Sequence, residues 1–427
     1  MYKKVVNLNN GLKAMLYKTS DKGIVKIALH ILQGSVHEND NNNGISHMLE
    51  HVISTGLKEG ALCRKLWMNG AQMTATTRRS YTVYEIDGLS ESLDLYVQVL
   101  SQILFNPPEI TPELLEKERK VILCEQARYY SSLNQIQDRC MQALFGDRNI
   151  GRMILGNTQI IKSLSAKSLL KLYRNTYIPK NSVLVIYGDF NLDIATTLAE
   201  KHFGLYKKQS ICTPKIEDIA DAPSHYVNSN VNGEFGVISI GHRIKTADDF
   251  TFLECALKTL LAAQTNPMIT YRTAYELRIK HGIAYSIGGF IKNYQDIYCI
   301  GISAVVKNTE IIPAIRIIVE NIKRIRENGF EQDELLRLTE FNKFQMLYAW
   351  NDFSRRSQEE INYALENEEH SYEKRSECFE NMTVNNLQEL FNQFLFESDS
   401  SIACMSTFDS DTILNAYRNA WKGTNVV

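Results

Sequence analysis

The sequence predicts an α+β fold built as two homologous halves, each an antiparallel sheet packed with helices. Short alternating runs bounded by turn residues interleave with amphipathic helical stretches along the 427 residues. The same order of elements begins again after a polar stretch near the middle. An acidic helix start followed by "ELL" occurs in each half, in "ITPELLEKERKVILCEQ" and in "FEQDELLRLTEFNKFQM". The expected division is residues 1–207, a linker over 208–224, and residues 225–427.

In order along the chain, "NNG" at 9–11 signals a hairpin before "LKAMLY". "VKIALHILQGS" puts Val25, Ile27, Leu29 and Ile31 on one face, the pattern of a half-buried strand. Polar "HENDNNNG" leads into a helix, and "SYTVYEIDGL" (80–89) reads as a further strand. Residues 91–105 and 112–130 read as helices, the second with Thr111 as cap and Pro112 in its first turn. The apolar "VIL" within it suggests a largely buried helix, and "NSVLVIYGDF" (181–190) closes the half as a strand. Beyond "KKQSICTPKIEDIADAPSH", the strand "FGVISIGHR" and the helix "DFTFLECALKTLLAA" restart the order. "GIAYSIGGF" and "DIYCIGISAVV" are paired strands, and two helices around a short turn follow them.

Composition narrows the function. Hydrophobic residues make up 44%, charged residues 22%, and the net charge is −2. Such a balance offers no broad basic surface, so nucleic acid is not an expected partner. No apolar run reaches the length of a membrane span, and "MYKKVVNLNNGLKAMLYK" reads as mature structure, not a signal peptide. Eight cysteines without a C-x-x-C pair suit reduced thiols, which points to the cytoplasm. Cys124 is expected as a small buried thiol.

Chemistry concentrates in "GISHMLEHVISTG" (44–56). His47 and His51 are four residues apart, so one helical turn stacks both imidazoles on one face, within reach of one cation. Glu50 lies beside them, placed to take a proton from metal-bound water and pass it to a leaving amine. H-x-x-E-H is an inverted zinc-hydrolase signature. The same pair is also compatible with a solvated face or a satisfied core pair. A hydrolytic zinc needs a third ligand, either an anionic oxygen or another histidine. "EKERKVILCEQ" offers Glu118 and Glu125, seven residues apart on one helical face.

Together, "HMLEH", "GAQMTATTRRSYTVYEI" and "EKERKVILCEQ" resemble the metal-binding half of the pitrilysin/insulinase family, in particular its short processing-peptidase-like members. The resemblance implies two halves of the mitochondrial-processing-peptidase/LuxS-like metallohydrolase type. It implies that Glu125, some seventy residues after His51, is the third zinc ligand. Glu118 then joins Glu50 in the catalytic apparatus, orienting groups around the metal. "LRIKHGIAYSI" resembles the segment carrying the family's substrate-binding arginine and tyrosine, which map onto Arg278 and Tyr285. Where the family usually has asparagine-alanine in the cleft strand, this chain has Thr74-Ala75, which removes a carboxamide's paired contact to substrate backbone. In the second half, "TFLEC" (251–255) falls where "HMLEH" does and Met346 falls near the place of Glu125, so one Zn2+ per chain is expected.

The resulting expectation is a zinc endopeptidase cutting small peptides or unstructured segments inside a chamber, with maturation of a ribosomally made peptide as one such role. The chain is expected to form a homodimer. The alternatives are a heterodimer with a related chain and a structural subunit of such a complex.

Overall fold

The computed structural model describes residues 1–58, 60–205, 217–245, 250–294, 297–365 and 372–423. Residues 208–216 of the expected linker, Cys212 within them, and Asp249 and Asp296 lie outside the described residues. The chain divides into two units: residues 1–128, 148–218 and 357–365 form the first, and 129–147, 219–356 and 366–427 the second.

In the first unit, β1 (Tyr2–Asn7) and β2 (Lys13–Lys18) form the hairpin expected at "NNG", with Gly11 in its turn at φ +93°. They join β3 (Ile24–Ile31), β4 (Gln72–Thr77), β5 (Thr82–Leu89) and β6 (Ser182–Gly188) in a sheet of order β1-β2-β6-β3-β5-β4. All pairings are antiparallel except β2 with β6. The strand β3 is buried on both faces, not one, because it lies between β6 and β5 and its polar residues find cover. Lys26 Nζ lies 3.0 Å from Asp87, and the His30 ring meets Tyr81 edge-on.

The helices of the first half are α1 (Ile45–Lys58), α2 (Ala61–Met68), α3 (Leu93–Phe105), α4 (Pro112–Tyr130), α5 (Ile136–Phe145), α6 (Thr158–Ser163), α7 (Ala166–Thr176) and α8 (Leu192–Phe203). In α1, Ile45, Met48, Leu49, Val52 and Ile53 recur at helical spacing and are nearly wholly buried. Each contributes about 1.5–3 kcal/mol of burial, which fixes that face against the core and turns the histidines toward α4. The cap on α4 is the expected one, with Thr111 Oγ1 accepting from the Leu114 N–H at 3.1 Å. The helix is only half buried: Ile122 faces the core, whereas Val121 and Cys124 are exposed. An apolar triplet spans too much of a helical turn to lie on one face, so Cys124 is not the buried thiol expected.

The second unit repeats the plan. β7 (Tyr226–Asn228), β8 (Phe235–Lys245), β9 (Ala284–Tyr294), β10 (Ile297–Lys307) and β11 (Ser400–Met405) make a sheet of order β7-β11-β8-β10-β9. Strand for strand this is β2-β6-β3-β5-β4, including the parallel pairing, now β7 with β11. The helices of the second half of the chain are α9 (Phe250–Thr265), α10 (Ile311–Asn328), α11 (Gln332–Asn351), α12 (Phe353–Leu365), α13 (Tyr372–Glu380), α14 (Val384–Phe391) and α15 (Ser410–Lys422). The two α+β halves are thus duplicates in topology.

Each unit also contains a helical segment from the other half of the sequence. The segment 129–147, with α5, belongs to the second unit and packs on β8 and β11. Gly241 of β8 admits it closely: a Cβ there would meet Cys140 Sγ at 2.8 Å. Reciprocally, residues 357–365 of α12 belong to the first unit, where Glu360 pairs with Lys3 at 3.0 Å and Asn362 accepts from the Tyr81 hydroxyl.

Candidate metal centre

The first-unit sheet ends at β4, hydrogen-bonded on one side only, to β5, and α1 packs against both strands. On the polar face of α1 the rings of His47 and His51 lie 4.6 Å apart and nearly perpendicular. The ligand atoms of His47, Glu50 and His51 all lie within 4.8 Å of one another, the one such group of three found among the described residues.

Helix α4 brings two carboxylates to this face, as the seven-residue spacing predicts. Glu125 Oε2 lies 3.7 Å from His47 Nε2 and 3.7 Å from His51 Nε2. Ligand arms of 2.0–2.1 Å in tetrahedral array separate donor atoms by about 3.3–3.4 Å. The three atoms therefore surround a space suited to one cation. Glu118 meets the other side of His51: its Oε2 lies 3.2 Å from Nδ1, while its Oε1 accepts from the Thr55 hydroxyl at 2.9 Å. With Nδ1–H directed at Glu118, the lone pair of His51 sits on Nε2, on the side of Glu125. Burial, and secondarily His51, lowers His47 to about 3, so this imidazole is neutral, the form that binds metal.

Two carboxylates near the histidines compete for the role of third ligand. Glu125 is equidistant from both Nε2 atoms. Glu50 is engaged elsewhere, its Oε2 accepting from the Thr77 hydroxyl of β4 at 3.2 Å. Glu125 Oε2 thus faces the Nε2 atoms of both imidazoles, while Glu50 is turned to β4. Burial raises Glu50 above the usual carboxylate range, against the opposing pull of His51 and of the Thr77 bond. Two imidazoles and a carboxylate form a donor set that fits zinc.

Thr74 and Ala75 lie on β4 as expected, paired with Glu85 and Tyr84. Thr74 is exposed, whereas Ala75 shares the inward face with Met73 and Thr77. Arg278 and Tyr285 belong to the second unit, on a π-helical turn (Tyr275–Lys280) and near the start of edge strand β9. Both are exposed, Tyr285 by 75%. Where α9 corresponds to α1, Glu254 is paired with Lys258 at 2.7 Å.

Thr77, Thr55 and Glu38, which caps α1, are the contributors that sequence reasoning missed. The alternation of "MTATT" was a usable signal for Thr77, since it shares a strand face with Ala75. Replacing Glu118 by glutamine leaves one acceptor for two donors, His51 and Thr55. Zinc affinity of Glu118→Gln is expected to fall about 10–100-fold with the fold retained, as read by competition with a chromophoric chelator.

Comparison with known proteins places the chain in a family. Residues 14–158 match Insulinase (Peptidase family M16), and residues 163–340 match the Peptidase M16 inactive domain. The mitochondrial-processing peptidase subunit beta of Homo sapiens is 31% identical over 245 residues, 56% of this chain and 48% of that protein. This chain therefore spans about half the length of the mitochondrial relatives it matches. The uncharacterized zinc protease YmxG of Bacillus subtilis is 24% identical over 339 residues, 76% of this chain and 79% of that protein. In fold, the chain is similar to a protease from Helicobacter pylori, with a TM-score of 0.84 at 19% identity over 95% of this chain and 99% of that one. With an H-x-x-E-H helix, a converging glutamate and two duplicated halves, the chain belongs to the insulinase family, peptidase family M16.

Proposed function

We propose that this chain is a zinc-dependent endopeptidase that hydrolyses internal bonds of small peptides or unstructured segments. The observation carrying this reading is the placement of Glu125 Oε2 at equal distance from two imidazole nitrogens, with Glu118 orienting one of them. His47, His51 and Glu125 would hold one zinc per chain, which supplies Lewis acidity when bound. Glu50 takes the proton of the attacking water and passes it to the leaving amine. Thr77 occupies its Oε2, so the proton moves at Oε1.

An extended peptide adds to the open edge of β4, where main-chain hydrogen bonds give affinity without strong sequence demands. Thr74 offers such a peptide a single hydroxyl, which loosens the selection a carboxamide would impose. Arg278 holds a peptide carbonyl and Tyr285 donates to the developing oxyanion. That assignment is supported by family resemblance and by the exposure of both side chains. Two copies of the chain enclose the substrate in a cytoplasmic chamber that admits flexible peptides, including ribosomally made precursors.

A second reading is a subunit that works only beside a related, non-identical chain; it is favoured by the name of the mitochondrial relatives, which are subunits. The test is to purify the protein, measure its metal content and its size in solution, and map cleavage of a mixed peptide library by mass spectrometry. One zinc per chain, dimeric mass and internal cleavage abolished by chelation are expected. A metal-loaded protein that cleaves only after a related chain is added establishes the second reading. Absence of both metal binding and cleavage overturns the peptidase assignment.

A further inference from the structure

The two histidines of the metal helix are oriented by different means. His51 has a carboxylate on its second nitrogen, whereas Nδ1 of His47 is buried and finds no hydrogen-bond partner among the described residues. The direction of the His47 ring therefore depends on packing and on the backbone that carries it. That backbone begins at the first turn of α1, whose leading amides have no acceptor within the helix.

Those amides are held by a carboxylate from outside the helix. Glu38 is 2% exposed. Its Oε2 accepts from the Gly44 N–H at 2.7 Å and from Asn43 Nδ2 at 3.0 Å, and its Oε1 accepts from the Ser46 N–H at 2.9 Å. The usual cap is a short polar side chain directly before the helix; here the chain loops back around a longer one. The loop is fixed in turn. Asn43 Nδ2 also reaches the Met153 carbonyl at 3.1 Å, and Gln33 Nε2 donates to the Ser46 hydroxyl at 3.1 Å. Gly44 sits at φ +95°, where a Cβ would meet Gly156 Cα at 2.9 Å.

We propose that Glu38 is a positioning residue of the metal centre: by holding the Gly44 and Ser46 amides, it sets the first turn of α1 and with it the aim of His47 Nε2. This inference rests on the reading of His47, His51 and Glu125 as metal ligands. Glu38 touches none of these side chains, and its effect passes through the Ser46 peptide beside His47. Burial pushes Glu38 up to about 7, against the pull of these amide donors and of the helix N-terminus, both of which favour the carboxylate.

The test is Glu38→Gln, which keeps the shape but sets an NH2 group among donors. In the metal-free variant, amide exchange over residues 44–48 is expected to accelerate. Zinc affinity should fall about tenfold or more, and the visible band of the cobalt(II)-substituted protein should change. In the cobalt form, the hyperfine-shifted resonances of His47 should move more than those of His51. Glu38→Asp, which retains the carboxylate, is expected to recover part of each loss.

Wild-type zinc affinity and cobalt spectra in Glu38→Gln would overturn the proposal, even with a lowered melting temperature. Should that variant fail to fold, Asn43→Ala removes a side-chain donor to Glu38 together with its bond to the Met153 carbonyl. A smaller shift in the same direction is then expected, and unchanged affinity and spectrum overturn the proposal. A wild-type protein that binds neither zinc nor cobalt removes the underlying ligand reading together with this one. Metal binding with unaltered variants removes the role of Glu38 alone.

Discussion

Glu50→Gln is expected to retain zinc at wild-type stoichiometry while peptide hydrolysis falls about 10²–10⁴-fold, the range a positioned general acid–base group contributes. The substitution is close to isosteric, and the carboxamide oxygen can still accept from Thr77, which now holds Oε2. What disappears is a group able to take a proton from water at neutral pH. Because the proposed ligands are His47, His51 and Glu125, the metal content should not change. Hydrolysis at the wild-type rate would remove Glu50 from the chemistry. Loss of metal in parallel with activity would instead make it a ligand, in keeping with its place within 4.8 Å of both histidines. Metal analysis and rate measurement on one preparation separate these outcomes.

Glu125→Ala should strip the metal. Two imidazoles remain on α1, but they lack the anionic donor that completes the site, and a dication held by two neutral ligands loses much of its electrostatic stabilisation. Zinc content after dialysis is expected to drop to a small fraction of one per chain, and hydrolysis with it. Folding should survive, because the Glu125 side chain is 40% exposed and its removal opens no core cavity. Glu125→Asp shortens the arm by one methylene and should rebind zinc weakly, separating loss of charge from loss of reach. Normal zinc content in Glu125→Ala would show the third ligand to be misassigned.

The parts of this molecule that could be read in advance are those whose cause is local. His47, Glu50 and His51 stand at i, i+3 and i+4 on one helix, so helical period alone puts them together. The interval to Glu125, combined with family resemblance, reached a carboxylate on a distant helix that lies 3.7 Å from both imidazoles. Thr77 was harder, because its bond to Glu50 depends on which strand lies beside α1. Glu38 looked like one polar residue in the run "HENDNNNG", and nothing in that run distinguishes a buried cap from a solvated loop. Burial of β3 on both faces was hidden for a similar reason: Lys26 and His30 read as solvent-facing until Asp87, Glu85 and Tyr81 are seen to cover them. The apolar face of α5 was present in the sequence, but an amphipathic helix does not announce which sheet it will cover.

The trade of α5 against the tail of α12 ties the fates of the two duplicated halves. Severing the backbone at its midpoint yields no pair of autonomous proteins, since each fragment leaves with a piece of its sibling's scaffold and bares an oily surface where its own should rest. A gene split at that point would have to deliver both products together for either to mature. The ancestral doubling, once sealed by this swap, became hard to reverse.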